Sequence, residues 1–137
     1  MGINLFNRTL ALLGKALDLR ARRHNMILSN IANQDTPGYK SRDLNFKKAL
    51  ADAFNEIEGI GIVKTDKRHI SPADSVNNVG GSIIYSSHPD MGIDRNSVNI
   101  EEEMGKLAEN GIMYNAAAQI LSSKLRELKM AIREGGG

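Results

Sequence analysis

The last third of the chain constrains its architecture most strongly. Ile100, Met104, Leu107, Gly111, Tyr114, Ala118, Leu121, Leu125, Leu128 and Ile132 follow one another in alternating steps of four and three residues. That unbroken heptad ladder is the pattern of a helix that presents one seam to another helix. At 1.5 Å per residue it reaches about 50 Å, and a helix of that kind needs a partner to cover its seam. Asn99 stands before the ladder as an N-cap, with Glu102 at the third helical position as in a capping box. Glu101, Glu102 and Glu103 complement the positive end of the helix, and Lys124, Arg126, Lys129 and Arg133 lie toward the negative end. Gly105 and Gly111 each cost about 1 kcal/mol relative to alanine. With Ala116–Ala118 they either admit a second backbone at close range or are simply tolerated. Gly135–Gly137 predicts a frayed end.

The other end of the chain carries a second stripe. Ile3, Phe6, Leu10, Leu13, Leu17, Ala21, His24, Leu28 and Ile31 are spaced by three or four residues, which predicts a helix from residue 3 to about 33, roughly 45 Å long. The consecutive four-residue steps at Leu13, Leu17 and Ala21 loosen any strict supercoil. The two stripes have similar lengths and pair as a coiled-coil hairpin, parallel or antiparallel. Residues 1–34 hold five basic side chains and one acidic, whereas 101–109 hold four acidic and one basic, so the charges favour that pairing. Exposed ion pairs contribute only a few tenths of a kcal/mol each, so apolar burial must dominate. Leu5, Leu12, Leu19, Ile27, Ile112, Met113, Ile120 and Met130 fall outside a two-helix seam and call for further helices, supplied by neighbouring copies. The isolated chain is therefore expected to be only partly folded, with its ends ordering on assembly.

Between the stripes the chain changes character. Asn30 and Asn33 compete with the backbone of a helix, and Thr36-Pro37-Gly38-Tyr39 supplies turn chemistry: Pro37 presets φ, and Gly38 accepts the positive φ of a type II turn. Pro37 also pushes Thr36 out of the helical region. Phe46, Leu50, Ala53, Phe54 and Ile57 predict a second helix over 42–58, ended at Gly59-Ile60-Gly61. Residues 60–96 are broken by Pro72, Pro89, Asn77-Asn78 and Gly80-Gly81, with short strands expected at 60–65 and 81–86. The expected fold is mainly α, with an irregular middle that is partly β or disordered. It divides into an N-terminal helix, turn and short second helix (1–58), a loop-rich middle (59–96) and a C-terminal coiled-coil helix (97–137).

Several functions are excluded or disfavoured. With no cysteine there are no disulfides, thiolate metal sites or cysteine nucleophiles. No apolar run is long enough to span a bilayer, and the N-terminus does not read as a cleaved secretory signal. The net charge of +2 is too even for a nucleic-acid or membrane-surface binder. Arg20, Arg22 and Arg23, preceded by Arg8 and Lys15, read as a solvated or salt-bridged face, since no aromatic residues interleave with them. His24 reads as a packed, hydrogen-bonded histidine, with no ligand partner at helical spacing. His69, His88, Asp90 and Asp94 read as polar loop residues, not as metal ligands. Phosphate-binding, dinucleotide-binding and nucleophile-elbow motifs are all missing, which argues against an enzyme and against a cofactor.

The run SNIANQDTPGYK (Ser29–Lys40), within RARRHNMILSNIANQDTPGYKSRDLNF (Arg20–Phe46), closely resembles the N-terminal signature of bacterial flagellar axial proteins, the rod, hook and hook-filament junction subunits. The continuation RDLNF (Arg42–Phe46) and the segment from Val98 to Arg133 resemble the proximal rod branch of that family. The likeness spans about residues 5–46 and 97–133. It implies a structural subunit of the hollow drive shaft that crosses the periplasm and transmits torque, needed for motility and exported without a cleaved signal through the flagellar type III apparatus. Implied partners are copies of itself, other rod proteins, the rod–ring adaptor and the membrane ring. Subunit contacts are expected at Asn30, Ile31, Asn33, Thr36, Pro37, Gly38 and Tyr39. Further contacts are expected along the stripes, at Leu10, Leu13, Leu17, Met104, Leu107, Tyr114, Leu121, Leu125 and Leu128. Phe46 and Leu50 have the spacing of an export-gate contact in early-exported relatives, although core packing of an amphipathic helix explains the same spacing. A cytoplasmic coiled-coil adaptor accounts for the stripes but not for Ser29–Lys40, and another proximal rod subunit is the nearest competing assignment.

Overall fold

A computed structural model describes residues 2–59, 83–85 and 98–136. The elements run α1 (Gly2–Ala32), β1 (Arg42–Leu44), α2 (Phe46–Ile57), β2 (Ile83–Tyr85) and α3 (Ile100–Gly135). Asn30 on α1 bonds to Glu103 on α3, and Arg20 to Asn110, so the two long helices run antiparallel. Arg23 pairs with Asp43 and Arg8 with Glu58, so the chain from β1 through α2 returns along α1 as well. α1 therefore has two neighbours. The expected mainly helical architecture, with the terminal helices packed together, is what the chain adopts.

Local chemistry sets the boundaries. α1 stops at Ala32, and the N–H of Asn33 still reaches back to the Ser29 carbonyl. The Tyr39 N–H then bonds to the Thr36 carbonyl at 3.2 Å, and Gly38 has φ +73°, the conformation the turn demands. Asn99 caps α3, its side-chain oxygen accepting from the N–H groups of Glu101 and Glu102. Gly59, at φ +66°, closes α2.

Four local expectations are corrected. The second helix does not begin at residue 42: Arg42–Leu44 form a strand that pairs antiparallel with Ile83–Tyr85. The Asn45 side chain accepts from the Lys48 N–H, which starts α2 at Phe46. Leu19 and Ile27, expected outside the seam, are buried, Leu19 because the returning chain packs Leu44 and Ala49 against it. His24 is exposed instead of packed. Helix α3 includes Gly135, the first residue of the expected frayed end, and Gly136 follows as a turn. β2 lies within the expected 81–86 segment, whereas the strand expected at 60–65 and the residues His69, His88, Asp90 and Asp94 lie outside the described residues, as does the side chain of Ile3.

The core is small. Among the described residues its buried apolar members are Leu19, Ile27, Leu44, Ala49 and Ala53, with Met26, Phe46 and Leu50 partly buried against the Leu19–Leu44–Ala49 cluster. Fully burying a large side chain stabilises by about 2 kcal/mol, so three large ones make a modest centre. Leu5, Ile112, Met113, Ile120 and Met130, expected to lie outside the seam, are exposed.

Candidate functional site

The seam between α1 and α3 is polar where the sequence predicted grease. Asn30, Glu103 and Asn110 are 1–2% exposed. Asn30 uses its whole hydrogen-bonding capacity. Its amide group donates to the Arg42 carbonyl (2.7 Å) and to Glu103 Oε2 (2.9 Å), and its oxygen accepts from the Arg42 N–H (3.0 Å) and the Tyr39 hydroxyl (3.2 Å). One side chain thus ties together α1, the turn, β1 and α3. The Tyr39 hydroxyl also meets Ser29 Oγ at 3.3 Å, and Asn33 and Thr36 bond to each other at 3.1 Å inside the turn.

Charges surround this knot in pairs. Lys106 donates to Glu103 (3.1 Å) and Glu102 (2.8 Å). Burial pulls the Lys106 ammonium down, but those two bonds outweigh it and raise it above its ordinary value. Arg23 grips Asp43 with two bonds, at 2.8 and 3.1 Å. Burial pushes the Asp43 carboxyl up, yet Arg23 and the Leu44 N–H hold it below the ordinary carboxylate range. Farther along the seam, Asn110 donates to the Arg20 carbonyl at 2.9 Å, and the Arg20 guanidinium lies 3.6 Å from the centre of the Phe46 ring. Burial, then the neighbouring Arg23, lowers Arg20 below its ordinary value, against an upward pull from Glu109. Of the acidic residues near the start of α3, Glu109 thus acts on Arg20 of α1 in the expected direction.

The predicted contact residues divide by accessibility. Asn30 is buried; Ile31, Asn33 and Tyr39 are half-buried; Thr36, Pro37 and Gly38 are exposed. Leu10, Leu13, Leu17, Leu107 and Leu121 are half-buried, while Met104, Tyr114, Leu125 and Leu128 are exposed. Phe46 and Leu50 pack on the core cluster. The face that α3 turns inward carries Glu103, Leu107, Asn110, Ala117, Leu121 and Lys124, a heptad series in which Leu107 and Leu121 belong to the predicted ladder. Ile100, Gly111 and Ala118 of the ladder are half-buried as well, whereas Met104, Tyr114, Leu125, Leu128 and Ile132 are left outside, together with Ile112, which is 69% exposed. Among the described residues, no atom outside its own helix lies within 4 Å of a Cβ built on Gly105 or Gly111, so neither serves close packing there.

Sequence reasoning missed Glu103, Asn110, Asp43 and Asn45. The available signal was the second heptad series, 103-110-117-124, one residue before the apolar one. Among the described residues no cluster of three acidic or histidine side chains could hold a metal ion, and no helix is long and apolar enough to cross a membrane.

Comparison with known proteins bears on what such a surface serves. Residues 11–40 match the family described as "Flagella basal body rod protein". The chain is 33% identical over 126 residues to the flagellar basal body rod protein FlgB of Salmonella typhimurium, covering 89% of this chain and 90% of that one. It is 33% identical over 133 residues to the FlgB of Bacillus subtilis, with coverage of 97% and 99%. To the FlgB of Aeromonas hydrophila it is 32% identical over 130 residues, with coverage of 93% and 95%.

Proposed function

This chain belongs to the FlgB family of flagellar basal body rod proteins, and from that premise we propose that it builds the proximal part of the rod by stacking against copies of itself and its rod neighbours. It is a structural subunit located in the rod, and its family is not enzymatic. The finer role is a segment of a hollow helical shaft that crosses the periplasm and carries torque. A heterologous, non-closing contact repeated from copy to copy generates such a shaft.

One observation carries the reading. The hairpin hides polar groups in its seam and leaves Ile112, Ile120, Leu125, Met130 and Ile132 on its outside. That is a surface made to be covered by other helices. In the proposed assembly, Thr36, Pro37, Gly38 and the accessible edges of Ile31, Asn33 and Tyr39 make subunit contacts, and the buried Asn30 fixes their position. Leu10, Leu13, Leu17, Met104, Leu107, Tyr114, Leu121, Leu125 and Leu128 form the lateral contacts. Residues 1–58 and 97–137 act as the assembly ends and 59–96 as a variable insert. The rod–ring adaptor and the membrane ring meet the lowest copies. Phe46 and Leu50 would be read by the type III export apparatus while the chain is unfolded, before they enter the core.

The test is a strain lacking this chain. Its isolated basal bodies should end without a rod in electron micrographs, and swimming should be lost. The wild-type chain should restore both, and a chain lacking residues 29–40 should restore neither. Swimming cells that carry complete rods without this chain would refute the proposal.

A further inference from the structure

Beside the polar seam, α1 and α3 enclose an open groove of about 360 Å³, lined by Arg20, His24 and Asn25 on one side and by Asn110, Tyr114 and Asn115 on the other. Among the described residues, the side chains of His24, Asn25, Tyr114 and Asn115 make no hydrogen bond or ion pair. Arg20 donates one long bond, 3.5 Å, to Asn110, although a guanidinium has five N–H donors. The groove thus offers amide, imidazole and hydroxyl groups that the chain itself leaves unused, beside an Arg20 guanidinium that stacks on Phe46 and keeps most of its N–H donors.

At the end of the same hairpin stands a segment of complementary chemistry. Asp35, Thr36, Pro37 and Gly38 are all exposed, and among the described residues the Asp35 carboxylate has no partner. The segment is held in shape by the Thr36–Tyr39 backbone bond and the Asn33–Thr36 side-chain bond, so docking it costs little further ordering. It sits far from its own chain's groove: eight residues of helix, about 12 Å, separate His24 from Ala32. A groove at one height and a turn at another are joined between copies, and such a head-to-tail contact can repeat from copy to copy.

We propose that the Asp35–Gly38 turn of one copy docks into the α1–α3 groove of the next, with the Asp35 carboxylate facing Arg20 and His24. The contact rests on the rod-subunit reading and specifies one of its interfaces. The full chain, expressed in cells that lack their own copy, tests it. Asn115→Glu alone and Asp35→Lys alone should each abolish swimming, and the two together should restore it. The chain has no cysteine, so His24→Cys combined with Asp35→Cys adds the only thiols. A disulfide needs Cα atoms within about 7 Å, so oxidised basal bodies should give a ladder of linked copies, and such links can form only between neighbours. Single variants that swim, a swapped pair that stays immotile, or double-cysteine rods that yield no ladder would each overturn the contact. If those chains nevertheless sit in rods, the rod-subunit reading survives; if the wild-type chain is missing from rods, that reading fails first.

Discussion

Replacing Asn30 with alanine tests whether the buried amide is the main tie of the fold. The substitution strips partners from the Arg42 N–H, the Arg42 carbonyl and Glu103 Oε2, while the Tyr39 hydroxyl keeps Ser29. A buried polar group left unpaired costs about 1–3 kcal/mol. Arg42 is half-buried and Glu103 keeps Lys106, so the lower part of that range applies to each, giving about 3–5 kcal/mol in total. Opposing this, alanine is the better helix former by about 0.7 kcal/mol, too little to reverse the sign. The assay is a urea titration of the full chain, followed by far-ultraviolet circular dichroism at a concentration where the wild type is helical. With a slope of about 2 kcal/mol per molar urea, the midpoint should fall by about 2 M. Glu103→Ala removes one of the orphaned partners, so the double variant should lose less than the sum of the singles. An Asn30→Ala midpoint close to wild type, or additive losses in the pair, would refute the assignment.

Three further outcomes are expected. Asp43 titrates below its ordinary value in the folded chain, so its contribution is complete above the ordinary aspartate pKa and is lost as pH falls through the lower, folded value; melts of Asp43→Asn against pH should lack that acid-side loss. Gly38→Ala meets open space but forces alanine to φ +73°, so its thermal melt should show a loss of about 1 kcal/mol from backbone strain alone. Ile120→Glu, on the exposed face of α3, should leave the melt of the isolated chain nearly unchanged and yet abolish swimming, separating assembly from folding.

Much of the fold was legible because its signals are local. Pro37 and Gly38 marked the turn, Asn99 the start of α3, and Gly59 the end of α2, each through its own backbone preference. What escaped was decided by partners distant in sequence. Arg42–Leu44 looked like the first turn of a helix, but Asp43 is held by Arg23 and the strand pairs with residues 83–85. The leucine stripe of α1 assumed a single neighbour, and the chain returning through α2 supplied a second, which buried Leu19. On α3 the apolar ladder outweighed the polar series beside it, because a heptad scan ranks residues by hydrophobicity and cannot see that Asn30 completes Glu103, or that the Arg20 carbonyl awaits Asn110. For the same reason the site was half legible: the turn was found, its anchor across the seam was not.

The fully bonded Asn30 also limits how far one long helix can slip along the other. Greasy contacts tolerate sliding by a turn, whereas the directional bonds that cross the seam, Asn30 to Glu103 and Asn110 to the Arg20 carbonyl, fit at a single setting. Parts laid end to end pass their length errors down the line, so a column of such hairpins would drift if each could settle at several settings. A keyed joint inside every part keeps the pitch of the whole column uniform.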